Sequence, residues 1–226
     1  MNFPHPWRTV RPLVAGLVLL LLRFLENTTG FDPATGLSLH QLLAAGVVAL
    51  LVLEYALALR LPKTRRSAEA HFAPPQKSLP LAVAGCMLLA AGGVLLAIPA
   101  ISVRGGLANL ATGALGLLAG LGLLAALRKL RAGGAPSVAP LLPALFFGVF
   151  LVLTVYLPST SDPVLARYYL PVLAAAMVAY ALAQLAGFFR KESSPRGFTP
   201  TANCAAALSL AALSDGALPQ KLLFLG

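Results

Sequence analysis

Glu54 is the residue best placed to do chemistry. It stands in an otherwise apolar run over 39–61, six residues before Arg60, which sets it roughly 9 Å inside one end of a helix. A carboxylate inside a membrane helix is costly and points by default to function, here an ion or proton site. The competing reading is an interfacial carboxylate, hydrated or paired with a basic loop residue. Asn109, Gln184 and Asn203 are further polar side chains in apolar runs. They either line a polar site with Glu54 or hydrogen-bond across helices as structural glue, at about 0.6 kcal/mol each. Arg167, Tyr168 and Tyr169 open another apolar run, as an interfacial aromatic belt or as a ligand-facing cluster.

Recognisable catalytic patterns are missing. The sequence has no H-E-x-x-H, no G-x-S-x-G, no paired glutamates of the intramembrane prenyl-protein proteases, and no phosphate-binding or dinucleotide loop. His5, His40 and His71 are scattered, and the topology derived below puts them on different sides of a membrane. Cys86 and Cys204 lie in apolar runs without neighbours at metal-ligand spacing, and read as small buried thiols. The expectation is a protein that is not an enzyme and needs no cofactor or metal.

These residues sit in an unusual background. Of 226 residues 58% are apolar and only 11% are charged, where about 25% charged is ordinary for a soluble domain. A soluble fold of this size could not hide so much apolar surface, and a disordered chain is poor in it. The expected fold class is all-α, a polytopic transmembrane helix bundle forming one integral membrane domain over 1–226. Runs of roughly 20 apolar residues mark six full membrane helices near 10–25, 39–61, 79–101, 105–127, 138–157 and 163–189. Arg11 and Arg23 flank the short uncharged part of the first, so each is expected to snorkel to an interface, with Trp7 as an interfacial aromatic. An uncleaved anchor fits this run better than a signal peptide, since no small-residue cleavage site follows. Pro171 is expected to kink the sixth helix.

A seventh run, 200–214, opens with Thr199-Pro200 as cap and first helical position. It is partial or kinked, stopping at Ser214-Asp215-Gly216, and Lys221 begins a further apolar stretch. That last stretch reads either as the start of an eighth helix, continued beyond residue 226, or as the bent end of the seventh.

Charge sets the orientation. Thirteen of the 17 Lys and Arg residues fall on alternate connections: Arg8 and Arg11, then 60–77, 128–131 and 190–196. Short loops rich in Lys and Arg stay cytoplasmic, so the N-terminus is expected inside a cell membrane, and the connections around Asp32, Arg104 and Asp162 outside. Anionic lipid at the cytoplasmic face accounts for the net charge of +10; no nucleic acid is implied.

Two further patterns concern packing and turns. Ala108, Thr112, Gly116 and Gly120 recur every four residues and share a helix face, with Gly105, Asn109 and Gly113 as a neighbouring ridge. Small ridges let membrane helices approach closely, either within the chain, against Gly85, Gly93 and Ala97, or across a homo-oligomer or membrane-partner seam. Between the first two helices, Phe31-Asp32-Pro33-Ala34-Thr35-Gly36-Leu37 has Asp and Pro at the first turn positions and Gly36 for positive φ, which predicts an ordered hairpin turn. This string, placed after a first membrane helix, resembles one found in uncharacterised multi-spanning membrane proteins of clostridial bacteria. The resemblance implies a bacterial cytoplasmic membrane and no particular activity.

Two functional readings follow. The first is a small-solute transporter or the membrane subunit of one, which calls for a polar cavity lined by Asn109, Gln184 and Asn203. The second is a non-catalytic scaffold or sensor whose basic loops dock a cytoplasmic partner, which calls for a dry core with paired polar groups.

Overall fold

In an apolar medium backbone amides must find partners within their own segment, which helices provide. The structure is a computed structural model that describes residues 5–30, 34, 42–61, 79–102, 107–132, 141–150, 152–153, 169–189, 194–215 and 218–226. Among these it forms eight α-helices and no strand: α1 His5–Thr29, α2 Leu42–Ala58, α3 Leu79–Ser102, α4 Leu107–Arg131, α5 Leu141–Phe150, α6 Tyr169–Phe189, α7 Pro195–Ala212 and α8 Leu218–Leu225.

Local chemistry explains several ends. Thr28 and Thr29 hydroxyls bond back to the carbonyls of Phe24 and Leu25 at the close of α1. Arg128, Lys129 and Arg131 lie in the last turn of α4, where cations complement the helix dipole. Ser194 caps α7 by accepting from the Gly197 amide, with Pro195 next. The cap therefore sits five residues before the expected Thr199-Pro200, and Pro200 is inside the helix. Among the described residues Pro171 falls in the first turn of α6, where a missing N–H costs nothing.

The expectation of six full membrane helices plus a seventh is corrected, among the described residues, to three long apolar ones: α3, α4 and α6 are long and apolar enough to cross a membrane. At 17 and 10 residues, α2 and α5 are apolar but short, about 25 Å and 15 Å against a core of about 30 Å. In α1 the 25 residues include Arg11, Arg23 and Glu26. In α7 the first two turns are polar, with Arg196, Thr199 and Thr201.

Contacts fix the relative directions. The seam of α3 and α4 is the most intimate: a Cβ on Gly93 would lie 2.8 Å from the Gly113 oxygen, and one on Gly120 would lie 2.7 Å from the Cys86 oxygen. Later residues of α4 thus meet earlier residues of α3, and the two run antiparallel. Leu223 of α8 packs on Gly92 while Gly226 reaches Gly85, so α8 also runs antiparallel to α3. Since α8 follows directly on α7, the late end of α7 lies on the side of the late end of α3, and the early end of α7 on the side of the late end of α4.

From α3 the helices pack in sequence order through α4, α5, α6 and α7, and α8 touches both α3 and α7 and closes the ring. Outside it, α1 and α2 pack on α7. Two apolar clusters result. One joins Leu19, Leu43, Val47, Leu170 and Leu208 of α1, α2, α6 and α7. The other joins Leu89, Ala119, Phe146, Phe150 and Leu223 of α3, α4, α5 and α8.

The core is apolar, but so is much of the surface, and a few charges are buried, which is unusual for a soluble protein. Arg23, Glu26 and Glu54 are buried, while Leu21, Phe24, Val52, Leu81 and Leu107 are exposed. In α2 the buried stripe Leu43, Val47, Leu50, Glu54 and Ala58 includes a carboxylate, and the exposed face is Val48, Val52 and Leu53.

Candidate functional site

Three features could do chemistry: two buried ion-pair clusters at opposite ends of α1, and a half-open apolar chamber bordered by the ring and by Leu13 of α1. At the first cluster Glu54 of α2 is 1% exposed. Its Oε2 accepts from Arg11 Nη2 of α1 at 2.7 Å and from Asn203 Nδ2 of α7 at 2.8 Å. The partner is thus a helix residue rather than a loop residue. Both donors converge on one oxygen, and Glu54 Oε1 and Arg11 Nε are buried without a hydrogen-bond partner among the described residues. A small rotation that brought these two atoms together would complete a bidentate pair.

The second cluster corrects the expectation that Arg23 snorkels to an interface. Its side chain is 1% exposed. Nε donates to both carboxylate oxygens of Asp215, at 2.9 and 2.8 Å, and Nη1 donates to Glu26 Oε2 at 2.6 Å. Asn27 also donates to Asp215, at 2.9 Å, and the Tyr169 hydroxyl donates to Glu26 at 3.3 Å. The guanidinium carbon stands 5.4 Å from the centre of the Tyr169 ring, within cation–π reach. Tyr169 is therefore an inward-facing residue of this cluster. Burial is possible because two carboxylates and a ring replace the water that an interface would have supplied. Asp215, read from sequence as part of a helix stop, ties the turn between α7 and α8 to α1.

The chamber has a volume of about 450 Å³ and is lined from α1, α3, α4, α5, α6, α7 and α8, with Leu13, Leu123, Phe147, Leu182, Phe198 and Leu223 among its walls. Ser209 carries its only polar side chain among the described lining residues. Of the four residues expected to share a polar site, Glu54 and Asn203 are brought together and the other two are elsewhere. Asn109 is exposed on α4, and Gln184 Nε2 donates to the Tyr180 hydroxyl on its own helix at 3.0 Å. None of the four lines the chamber.

The packing residues fall as follows. Gly116 and Gly120 face α3, Thr112 is buried and donates to the Ala108 carbonyl at 2.7 Å, and Ala108 is exposed. In the outer turn Phe31, Asp32, Pro33 and Gly36 lie outside the described residues, as do the side chain of Trp7 and residues 163–168.

The sequence marked Glu54 and Asn203 as intramembrane polar residues, but missed the chamber, Asp215 and the pairing role of Arg11. It also missed the Arg23–Glu26 pair, which did carry a readable signal, opposite charges three residues apart on one helix. No family model matches the chain, and no curated protein or solved structure matches it either.

Proposed function

We propose that this chain is a multi-pass membrane protein that carries a small solute, held in the chamber of the α3–α8 ring. The membrane reading is supported by the many exposed large apolar side chains together with the three long apolar helices. In it α3, α4 and α6 are the long apolar crossings, the shorter or more polar α1, α2, α5 and α7 run alongside them from one face to the other, and the N-terminus is cytoplasmic by the distribution of Lys and Arg.

Asn109, Gln184 and Asn203 do not form the polar cavity expected of a transporter; the observation that carries the solute reading is instead the apolar chamber. Its volume of about 450 Å³ is in the usual range for small-molecule sites, about 300–1,000 Å³, and its walls favour an apolar occupant. The two buried clusters are then structural ties that hold α1 and α2 against the ring. A scaffold or sensor is the second reading, favoured by one observation: the buried charges are taken up in ion pairs.

Flux across proteoliposomes separates them. A panel of labelled solutes running from zwitterionic to apolar would be offered to the reconstituted chain. A carrier gives saturable, protein-dependent uptake of an apolar member, abolished by Leu182→Trp, which fills the chamber. No protein-dependent flux for any member of the panel would favour the scaffold.

A further inference from the structure

We propose that the chamber takes an uncharged, hydrocarbon-rich solute with one hydrogen-bonding group, which enters sideways from the middle of the bilayer and sets that group against the Ser209 hydroxyl. The inference rests on the carrier reading and names the class of solute and its route.

The polar contact follows from Ser209. A hydroxyl inside a helix commonly bonds back to the carbonyl four residues earlier, as those of Thr112 and Thr201 do to Ala108 and Gly197. Ser209 is 5% exposed, lines the chamber and makes no hydrogen bond among the described residues. A buried hydroxyl without a partner is costly, and a solute group that donates to it or accepts from it removes that cost. The walls around it are apolar, Leu89, Leu123, Phe147, Leu182 and Phe198 among them. A buried water needs two to four polar partners, so one hydroxyl suits an apolar body with a single polar group better than it suits water. A charged group would lose its hydration without meeting a counter-charge among the described lining side chains.

The route follows from depth. The chamber is half-open, and its exposed lining residues include Leu13 of α1, Ala206 of α7 and Leu225 of α8. These three mark the opening, and all are apolar. Exposed Val14 and Leu17 continue the apolar surface beside it on α1, so the opening faces hydrocarbon. Tyr169 begins the apolar stretch of α6, which runs 20 residues to Phe188, about 30 Å, and it sits against Arg23 and Glu26. The Arg23–Asp215 cluster therefore marks one edge of the hydrocarbon core. Leu13 lies ten residues before Arg23 and Ala206 nine before Asp215, about 15 and 13.5 Å from that edge. Leu225 comes seven residues after the start of α8, about 10.5 Å along it. With a core of about 30 Å the opening is close to the bilayer centre, where water is absent. A solute reaches it by first dissolving in hydrocarbon, which an uncharged apolar molecule does and a charged one does not.

The test uses the full chain in nanodiscs of zwitterionic lipid, with protein-free discs subtracted. The probe is tritiated farnesol, a branched hydrocarbon with one hydroxyl, and saturable, protein-dependent retention is expected. Farnesene, the matching hydrocarbon, should compete about threefold to tenfold more weakly, and farnesoate, the matching carboxylate, at least about tenfold more weakly. Ser209→Ala should bring farnesol down to the level of farnesene, leave farnesene unchanged and keep the thermal unfolding midpoint. Leu182→Trp should abolish retention; Ala205→Phe, on α7, is the second chamber-filling variant should the first fail to fold. Depth is read from Leu13→Trp in a Trp7→Phe background, whose fluorescence a nitroxide at the end of the lipid chain should quench more than one near the headgroup. Equal competition by farnesoate, an undiminished preference for farnesol in Ser209→Ala, wild-type retention in a folded chamber-filled variant, or stronger quenching by the shallow nitroxide would overturn the proposal. Retention without flux removes the carrier reading and keeps the site, whereas saturable flux without farnesol retention does the reverse.

Discussion

Glu54 and Arg23 show how the cost of a buried charge depends on where its partner can go. Arg11 is 30% exposed at its side chain while Arg23 is 1% exposed. Removing Glu54 leaves a guanidinium that can turn toward water. Removing Arg23 leaves Glu26 and Asp215 facing each other without a counter-charge. Breaking a buried pair costs about 3–5 kcal/mol, and Arg23→Ala is expected to fall in that range in thermal unfolding of the purified protein. Arg11→Ala should cost clearly less; an equal loss would mean that the first cluster is as tightly enclosed as the second. Glu54→Gln keeps an oxygen for the Arg11 and Asn203 donors, so it should unfold near wild type and leave any flux intact, while Glu54→Ala loses about 1–3 kcal/mol. A selective loss of pH-dependent flux in Glu54→Gln, with folding unchanged, would instead mark Glu54 as an ion-coupling residue. Sequence marked Glu54 because a lone carboxylate among apolar residues is conspicuous. It could not name Arg11 or Asn203, which lie 43 and 149 positions away, because a pairing at that range depends on which helices become neighbours.

At the scale of elements, the α3–α4 seam decides what glycine is for. A Cβ on Gly113 would meet the Gly93 oxygen at 2.6 Å and the Ala97 backbone nitrogen at 2.8 Å, atoms that move only if the helices separate. At Gly148 in α5 nothing lies within 4 Å. Gly113→Ala should therefore destabilise by about 1–3 kcal/mol, whereas Gly148→Ala should be neutral or gain up to about 1 kcal/mol of helix propensity. Unfolding midpoints in detergent check the contrast, and equal shifts would mean that the seam gives way to accommodate a methyl. The four-residue spacing of Ala108, Thr112, Gly116 and Gly120 was legible as a shared small face, because a helix repeats nearly every four residues. The depth of each contact was not: Ala108 is exposed, while Gly113, on the neighbouring ridge, is in tight contact with α3. Helix type was legible from the apolar runs. Length was not, because an apolar residue is equally at home at the end of a helix and just past it: the second run was expected to reach 61, whereas α2 ends at Ala58 and 59–61 form a turn. The start of α7 was misplaced because Ser194-Pro195 and Thr199-Pro200 present the same cap-and-proline pattern, and the earlier one caps.

For the whole molecule, the ion pairs and the charge distribution bear independently on which ends lie together. Arg11 near the start of α1 meets Glu54 near the end of α2, and Arg23 near the end of α1 meets Asp215 just after α7. So α1 runs against α2 and along α7, and with the antiparallel α3, α4 and α8 this gathers the late ends of α2 and α4 and the early ends of α1 and α7 at one pole. Arg60, Arg128, Lys129, Arg131 and Arg196 belong to that pole. The opposite pole holds Thr28, Thr29, Tyr169 and Asp215. In the proposed membrane placement the pole rich in basic residues is the cytoplasmic one, a rule that uses only sequence, whereas the grouping into poles uses only contacts. Cysteines placed singly at Arg60 and Lys129 should therefore be protected from an impermeant thiol reagent in intact cells and react once the cells are opened. Cysteines at Thr28 and Ala34 should react from outside. The native Cys86 and Cys204 are both buried and supply the unreactive background. Labelling of Arg60→Cys and Lys129→Cys from outside, with Thr28→Cys protected, would invert the orientation and keep the bundle. A split between Arg60→Cys and Lys129→Cys would break the pole itself, since both residues could not then end helices that finish on the same side of one membrane.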